Sequence, residues 1–268
     1  MNPAERVVPF YFGTPDKRLF GCYHEPALER FRRCAVLICQ PMGHEYINCH
    51  RALRQLAARL CDAGFPVLRF DYYGCGDSSG SAEESRIPQW LQDTSTAISE
   101  VKRRTGLAQI CLVGLRLGGT LAMIAATEQG DLESLILWDP VVSGKNYLAA
   151  LLYRQKEALR FRHKPNSGWK STTAIEVLGF VLPPPLCAEL ERIHLLPIGR
   201  KPANNVLLMQ TDQVAGDALM SHLKQTEAQV EFQCLEAPQI WLPTEDGSLL
   251  VPGQVLQSLT SWISRTHA

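Results

Sequence analysis

The stretch Ile110-Cys111-Leu112-Val113-Gly114-Leu115-Arg116-Leu117-Gly118-Gly119 decides how this chain is read. Its first half is an apolar run ending at a glycine, which suits a buried strand. Its second half opens Thr120-Leu121-Ala122-Met123-Ile124-Ala125-Ala126, small and apolar residues that suit a buried helix. Only a sharp turn separates the two. Glycines at its base fit a turn that brings strand and helix backbones too close for any Cβ. The apex is Arg116. A guanidinium stays protonated at any accessible pH and has no lone pair. It can neither attack a carbonyl nor take a proton.

Strands and helices alternate outward from this turn. Val7–Phe12 and Leu19–Tyr23 flank the turn-rich Gly13-Thr14-Pro15-Asp16-Lys17 and read as a hairpin. Cys34–Cys39 reads as a buried strand. Leu53, Leu56, Ala57, Leu60 and Cys61 keep the spacing of a core-facing helix that stops at Gly64. Val67–Phe70 is the next strand, and Trp90, Leu91, Thr94, Ile98 and Val101 mark the next helix. Leu132–Trp138, Val206–Gln210 and Val230–Leu235 supply further strands, before a last amphipathic helix through Val255, Leu256, Leu259, Trp262 and Ile263. Such alternation implies an α/β fold with a mostly parallel sheet covered on both faces. From Ser143 to Ala203 the pattern changes to a helical run, a polar break and a Pro183-Pro184-Pro185 segment.

Three motifs in chain order resemble the α/β-hydrolase superfamily. Gly114-Leu115-Arg116-Leu117-Gly118 resembles its nucleophile elbow, where the middle residue is a serine. Phe70-Asp71-Tyr72-Tyr73-Gly74-Cys75-Gly76-Asp77-Ser78 resembles the Asp-x-x-Gly-x-Gly-x-Ser loop after the fourth strand. Gln40-Pro41-Met42-Gly43-His44-Glu45-Tyr46 stands where the family places its oxyanion-hole loop. The resemblance implies an α/β-hydrolase core at residues 1–142 and 204–268, with a helical cap, residues 143–203, inserted after the sixth strand. A surface insertion that merely packs is the alternative for that segment. Trp138-Asp139-Pro140-Val141-Val142-Ser143-Gly144-Lys145 and Glu176-Val177-Leu178-Gly179-Phe180 narrow the resemblance. Together with the elbow they resemble serine aminopeptidase-like hydrolases associated with bacterial exosortase and exopolysaccharide loci. That branch implies a bacterial cytoplasmic protein near envelope-polymer biosynthesis.

A serine hydrolase needs a nucleophile, an imidazole base and an orienting carboxylate. The resemblance places the acid after the seventh strand, at Asp212, or in some members after the sixth, at Asp139; either also reads as a loop-turn aspartate. The base should follow the eighth strand, but Glu236–Gly247 contains no histidine. Among the seven histidines, His24, His50 and His267 sit in unhelpful places and His222 on a surface helix. His44 and Glu45 lie in the loop beside the elbow, either framing a Glu-activated water or facing solvent. Cys75 is a thiol between two glycines, in a loop whose usual work is backbone positioning. Ser78 braces that loop and Asp71 anchors it. His163 and His194 lie in the cap.

Ordinary acyl-enzyme chemistry is therefore not expected. Backbone N–H groups from Leu117 onward and the guanidinium of Arg116 favour an anion. The expected ligand-binding set is Arg116, Leu117, His44, Glu45, Asp139 and Asp212. Without a ligand, Arg116 should pair with Asp139, Asp212 or Glu45, the first two favoured as the acid positions. The leading expectation is a catalytically degenerate hydrolase that binds a carboxylate-, phosphate- or acyl-bearing ligand or partner. An active hydrolase or acyltransferase, in which Arg116 stabilises developing charge, is the second class. An inert scaffold is the third.

Composition sets the outer bounds. The 268 residues can bury one large core, and 46% hydrophobic with 20% charged residues is ordinary for a globular chain. A formal net charge of zero argues against a general nucleic-acid or anionic-membrane surface. No signal-like start and no run long enough for a membrane span are found, so a cytoplasmic location is expected. The nine cysteines include no Cys-x-x-Cys pair, which favours reduced thiols and no zinc site. No cofactor is implied, and a protein partner or homodimer stays open.

Overall fold

The computed structural model describes residues 6–160, 175–211, 217–244 and 246–268. Strands β1 (Arg6–Thr14) and β2 (Lys17–Glu25) form the expected hairpin, with Phe12 opposite Leu19. The remaining sheet strands are β3 (Cys34–Cys39), β4 (Val67–Phe70), β5 (Gln109–Leu115), β6 (Ser134–Trp138), β9 (Asn205–Gln210) and β10 (Gln229–Cys234). They complete an eight-stranded sheet in the order β1-β2-β4-β3-β5-β6-β9-β10. All pairs from β4 to β10 are parallel; β2 joins them antiparallel. Every residue of β3 and β6 is buried, as a strand covered on both faces requires.

Helices cover both faces. Helix α1 (Gly43–Asp62) and helix α7 (Gly253–Thr266) pack through Leu53, Leu56, Leu60, Val255, Leu259 and Ile263 into one apolar layer. Helices α2 (Ile87–Thr105) and α3 (Leu117–Gln129) pack into the layer on the other face. Helix α3 is buried almost all round, so its apolar residues form no single stripe. Gly106 and Gly130, both left-handed, terminate α2 and α3. Helix α6 (Asp217–Leu223) lies between β9 and β10.

Helix α1 begins earlier than its apolar periodicity suggests. His44, Glu45 and Tyr46 form its first turn instead of a loop. Polar residues are at home there, and a carboxylate near a helix N-terminus meets the positive end of the macrodipole.

Between β6 and β9 the chain forms α4 (Gly144–Arg160), a small hairpin of β7 (Ile175–Val177) and β8 (Phe180–Leu182), and α5 (Pro184–Arg192). This segment is tied to the core. Glu189 of α5 accepts from Arg86 Nε at 2.7 Å and from the Ile87 backbone N–H at 2.9 Å. Leu195 N–H returns to Val142 O at 3.0 Å.

Candidate functional site

The site lies where β3, β5 and β6 end. Arg116 links β5 to α3 with φ 55° and ψ −125°, a left-handed value that L-residues rarely adopt. Backbone contacts hold it there. Its N–H donates to Trp138 O at 3.0 Å, and its carbonyl accepts from Gly119 N–H at 3.0 Å. A Cβ on Gly114 would stand 2.3 Å from Gly119 Cα, and one on Gly118 would stand 2.3 Å from Cys39 O. Both positions need glycine on steric grounds alone. Leu117, the first residue of α3, is buried.

The Arg116 side chain turns into a charged cluster. Its Nε lies 3.4 Å from Glu45 Oε1, and its Nη1 donates to the Asp139 backbone carbonyl at 3.2 Å. The ring of Trp241 lies 4.7 Å from the guanidinium carbon and that of Tyr147 lies 5.7 Å away. Such cation–π contacts contribute about 0.5–2 kcal/mol each. Glu45 is 3% exposed and serves three partners. Besides Arg116, its Oε2 accepts from Tyr147 Oη at 2.9 Å, and Arg154 Nη1 lies 3.5 Å from Oε1. Burial first, then the Glu45 charge, raises the Tyr147 hydroxyl well above its ordinary range, so it remains a donor. Two guanidiniums thus converge on one carboxylate.

Of the three expected partners, Glu45 supplies a carboxylate to Arg116 and Asp139 does not. Asp139 stands at the end of β6 with φ 42°, but its carboxylate accepts from Thr211 N–H at 3.0 Å and Thr211 Oγ1 at 2.7 Å. It meets Arg116 through its main chain, while Glu45 supplies the carboxylate. The cause is placement: α1 starts directly above β3, so its first turn faces the apex, whereas Asp139 is already spent on closing the β6–β9 junction. Asp212 lies outside the described residues.

His44 is partly buried beside Glu45. Its Nδ1 faces the Asn48 side-chain amide at 3.1 Å, and Asn48 also donates to Trp241 O at 3.0 Å. Burial, the largest influence, lowers the imidazole below its ordinary range. The described part of the stretch after β10 delivers Trp241, 3% exposed, instead of an imidazole. His194 is exposed, in a bridge with Ser143, and His163 falls outside the described residues. His24 is buried in β2 and accepts from Arg69 Nε at 3.1 Å.

The loop after β4 is architectural. Asp71 accepts from Gln40 Nε2 at 2.8 Å, Asp77 N–H at 3.0 Å and Tyr46 Oη at 3.3 Å. Ser78 Oγ donates to Asp71 O and accepts from Phe20 N–H, joining this loop to β2. Burial pushes the Cys75 thiol up to about 12, which removes it as a nucleophile at neutral pH. Among the described residues no His/Cys/Asp/Glu group could hold a metal ion, and no helix is long and apolar enough to cross a membrane.

Tyr147, Arg154 and Trp241 escaped sequence reasoning as site residues. Tyr147, Leu151 and Arg154 share one face of α4 by helical spacing, which was a usable signal. Trp241 lies within Glu236–Gly247, where the resemblance places the base.

The strand order, the elbow geometry and the intervening α4–α5 segment define an α/β-hydrolase fold. More narrowly, residues 34–178 match the family described as serine aminopeptidase, S33, and the chain belongs to that family. It is 31% identical over 156 residues to human protein ABHD12B, a match covering 55% of this chain and 41% of that protein. The match thus spans less than half of that relative's length. Among solved structures it resembles Est1E from Butyrivibrio proteoclasticus with ferulic acid bound, at a TM-score of 0.69 and 18% identity, covering 96% of this chain and 98% of that one. The mouse alpha/beta hydrolase domain-containing protein 10 is similar at a TM-score of 0.60 and 16% identity, over 96% and 99% of the two chains.

Proposed function

We propose that this chain is a catalytically degenerate member of its family, with Arg116 in place of the nucleophilic serine, that binds an anionic or acyl-bearing ligand or partner. The observation that carries this reading is the state of the apex. Arg116 keeps the strained backbone of an elbow while its side chain is paired with Glu45 and covered by Trp241. Two guanidiniums against one carboxylate leave one positive charge, and Arg116 and Arg154 are 18% and 28% exposed. That surplus supports binding of a carboxylate or phosphate at the rim of the site. Following the resemblance of Trp138–Lys145 and Glu176–Phe180, the ligand belongs to bacterial envelope-polymer, exopolysaccharide or secondary-metabolite biosynthesis in the cytoplasm, with residues 143–203 acting as the cap.

The test is a titration with inorganic phosphate and with acetate, at two salt concentrations, beside a serine-directed fluorophosphonate probe. The probe should label no serine. Arg116→Leu should weaken the anion by about 1.5–3 kcal/mol, the range for a charge-assisted contact. Stoichiometric labelling would overturn the degenerate reading, and unchanged anion affinity would overturn the role of Arg116. The scaffold reading draws on the closure of the same network by Tyr147 and Trp241. It expects no anion affinity in the unmodified chain either.

A further inference from the structure

A separate cavity of about 180 Å³ lies on the other side of the first turn of α1. Its walls come from the Gln40–Gly43 segment, the loop after β4, Trp90 of α2, and the β8–α5 region. Arg116, Glu45, Arg154 and Trp241 are not among its lining residues. Met42, Tyr72, Trp90, Val181, Leu182 and Leu186 give it apolar walls. Phe180 closes against Gly43, 3.5 Å from where a Cβ would stand. Two of the polar side chains at its edge are engaged with a common acceptor. Gln40 and Tyr46 both donate to Asp71, and the Tyr72 hydroxyl is buried with no hydrogen-bond partner among the described residues. Mostly apolar walls with a few polar groups are the ordinary lining of a small-molecule site.

We propose that this cavity is a binding site for an uncharged hydrocarbon group of about six to eight carbons, the size an apolar-walled cavity of this order accommodates. Its occupant is the tail of the acyl ligand, so the assignment rests on the acyl arm of the reading above. A charged head is excluded, because no unengaged ion-pairing group lines the walls. The thiol of Cys75, held protonated by burial, takes no covalent part. Gly43 and Tyr46 belong to this site while Glu45, between them, belongs to the arginine cluster. One helical turn therefore separates a hydrocarbon site from a charged one.

The experiment uses calorimetry and ligand-observed NMR on the full chain with three probes: 1-hexanol, hexanoate and inorganic phosphate. Hexanol should bind saturably, and hexanoate should bind at least tenfold more tightly than acetate. Ala82→Phe fills the cavity from a partly exposed wall and should weaken hexanol at least tenfold, leaving phosphate within twofold. Val181→Phe, from the β8 wall, should do the same, so a folding failure of either variant leaves the other to decide. Absent hexanol binding, or binding unchanged in both variants, overturns the site. Phosphate reports on the arginines independently: phosphate binding without hexanol binding sinks only the cavity, and hexanol binding without phosphate binding sinks only the anion arm.

Discussion

The backbone of the elbow and the contents of the elbow are built by different means. The backbone is set by short-range sterics: Gly114 and Gly118 let β5, α3 and the end of β3 touch main chain to main chain. None of those contacts involves the side chain at position 116. The contents are assembled from four distant places, namely Arg116 before α3, Glu45 on α1, Tyr147 and Arg154 on α4, and Trp241 after β10. The difference makes the frame independent of the residue at its apex. Any side chain that tolerates φ 55° can occupy the apex without disturbing the strands, provided other segments satisfy it.

The sharpest way to break that comparison is Gly118→Ala, which should prevent folding. An added methyl costs about 1–3 kcal/mol even where neighbours can shift. Here the neighbours are the Cys39 and Gln40 carbonyls, at 2.3 and 2.4 Å from the new carbon. Gly253→Ala is the control, since nothing lies within 4 Å of its Cβ position. Cooperative thermal unfolding of Gly118→Ala near the parent temperature would show that the frame is softer than its contacts imply.

Next in size is the carboxylate at the centre of the contents. Glu45→Ala should cost about 3 kcal/mol, the lower end for breaking a buried pair, because both arginines keep some contact with water. It strands two guanidiniums and the Tyr147 hydroxyl together. Arg116→Met should cost less, about 1–2 kcal/mol, since Glu45 keeps Arg154 and Tyr147. Denaturant unfolding compares the two directly. The reverse order would mean that packing of the Arg116 stem against Trp241, not charge pairing, holds the cluster.

The same division governs what the sequence disclosed. Strands β3, β5 and β6, the hairpin and the Gly114–Gly119 turn were legible because period, burial and glycine sterics act over a few residues. Glu45 was among the three expected partners of Arg116 but ranked behind Asp139 and Asp212, because the family's acid positions lie at the ends of β6 and β9. Local pattern did not reveal that α1 starts at Gly43, nor that Tyr147 and Arg154 close over Glu45. Those facts depend on how α4 docks, which no local period encodes. The small β7–β8 hairpin was likewise hidden in a segment read as helical.

The smallest effect concerns the lid on the apex. Asn48 donates from one amide nitrogen to both His44 Nδ1 and Trp241 O, so the indole loop is held partly through a neutral imidazole. Because Nδ1 accepts, the ring proton sits on Nε2, and a second proton would set Nδ1–H against the Asn48 amide. Burial lowers His44 below 6.5; Glu45 opposes this and Arg154 reinforces it. A depressed folded-state value means that the unfolded chain takes up the proton first. The stabilisation is therefore complete above pH 6.5 and is lost as the pH falls through that value toward the folded one. The ring keeps contact with solvent, so the loss is modest, on the order of 1–2 °C in Tm between pH 7.5 and 5.5. His267, also lowered by burial, adds to the same slope, so the measurement is a difference. His44→Gln, which cannot take up a proton, should show a shallower decline than the parent over that interval. Trp241 fluorescence, isolated by a Trp241→Phe reference, should red-shift in acid only where His44 is present. Parallel Tm profiles for parent and variant would mean that the imidazole does not hold the lid.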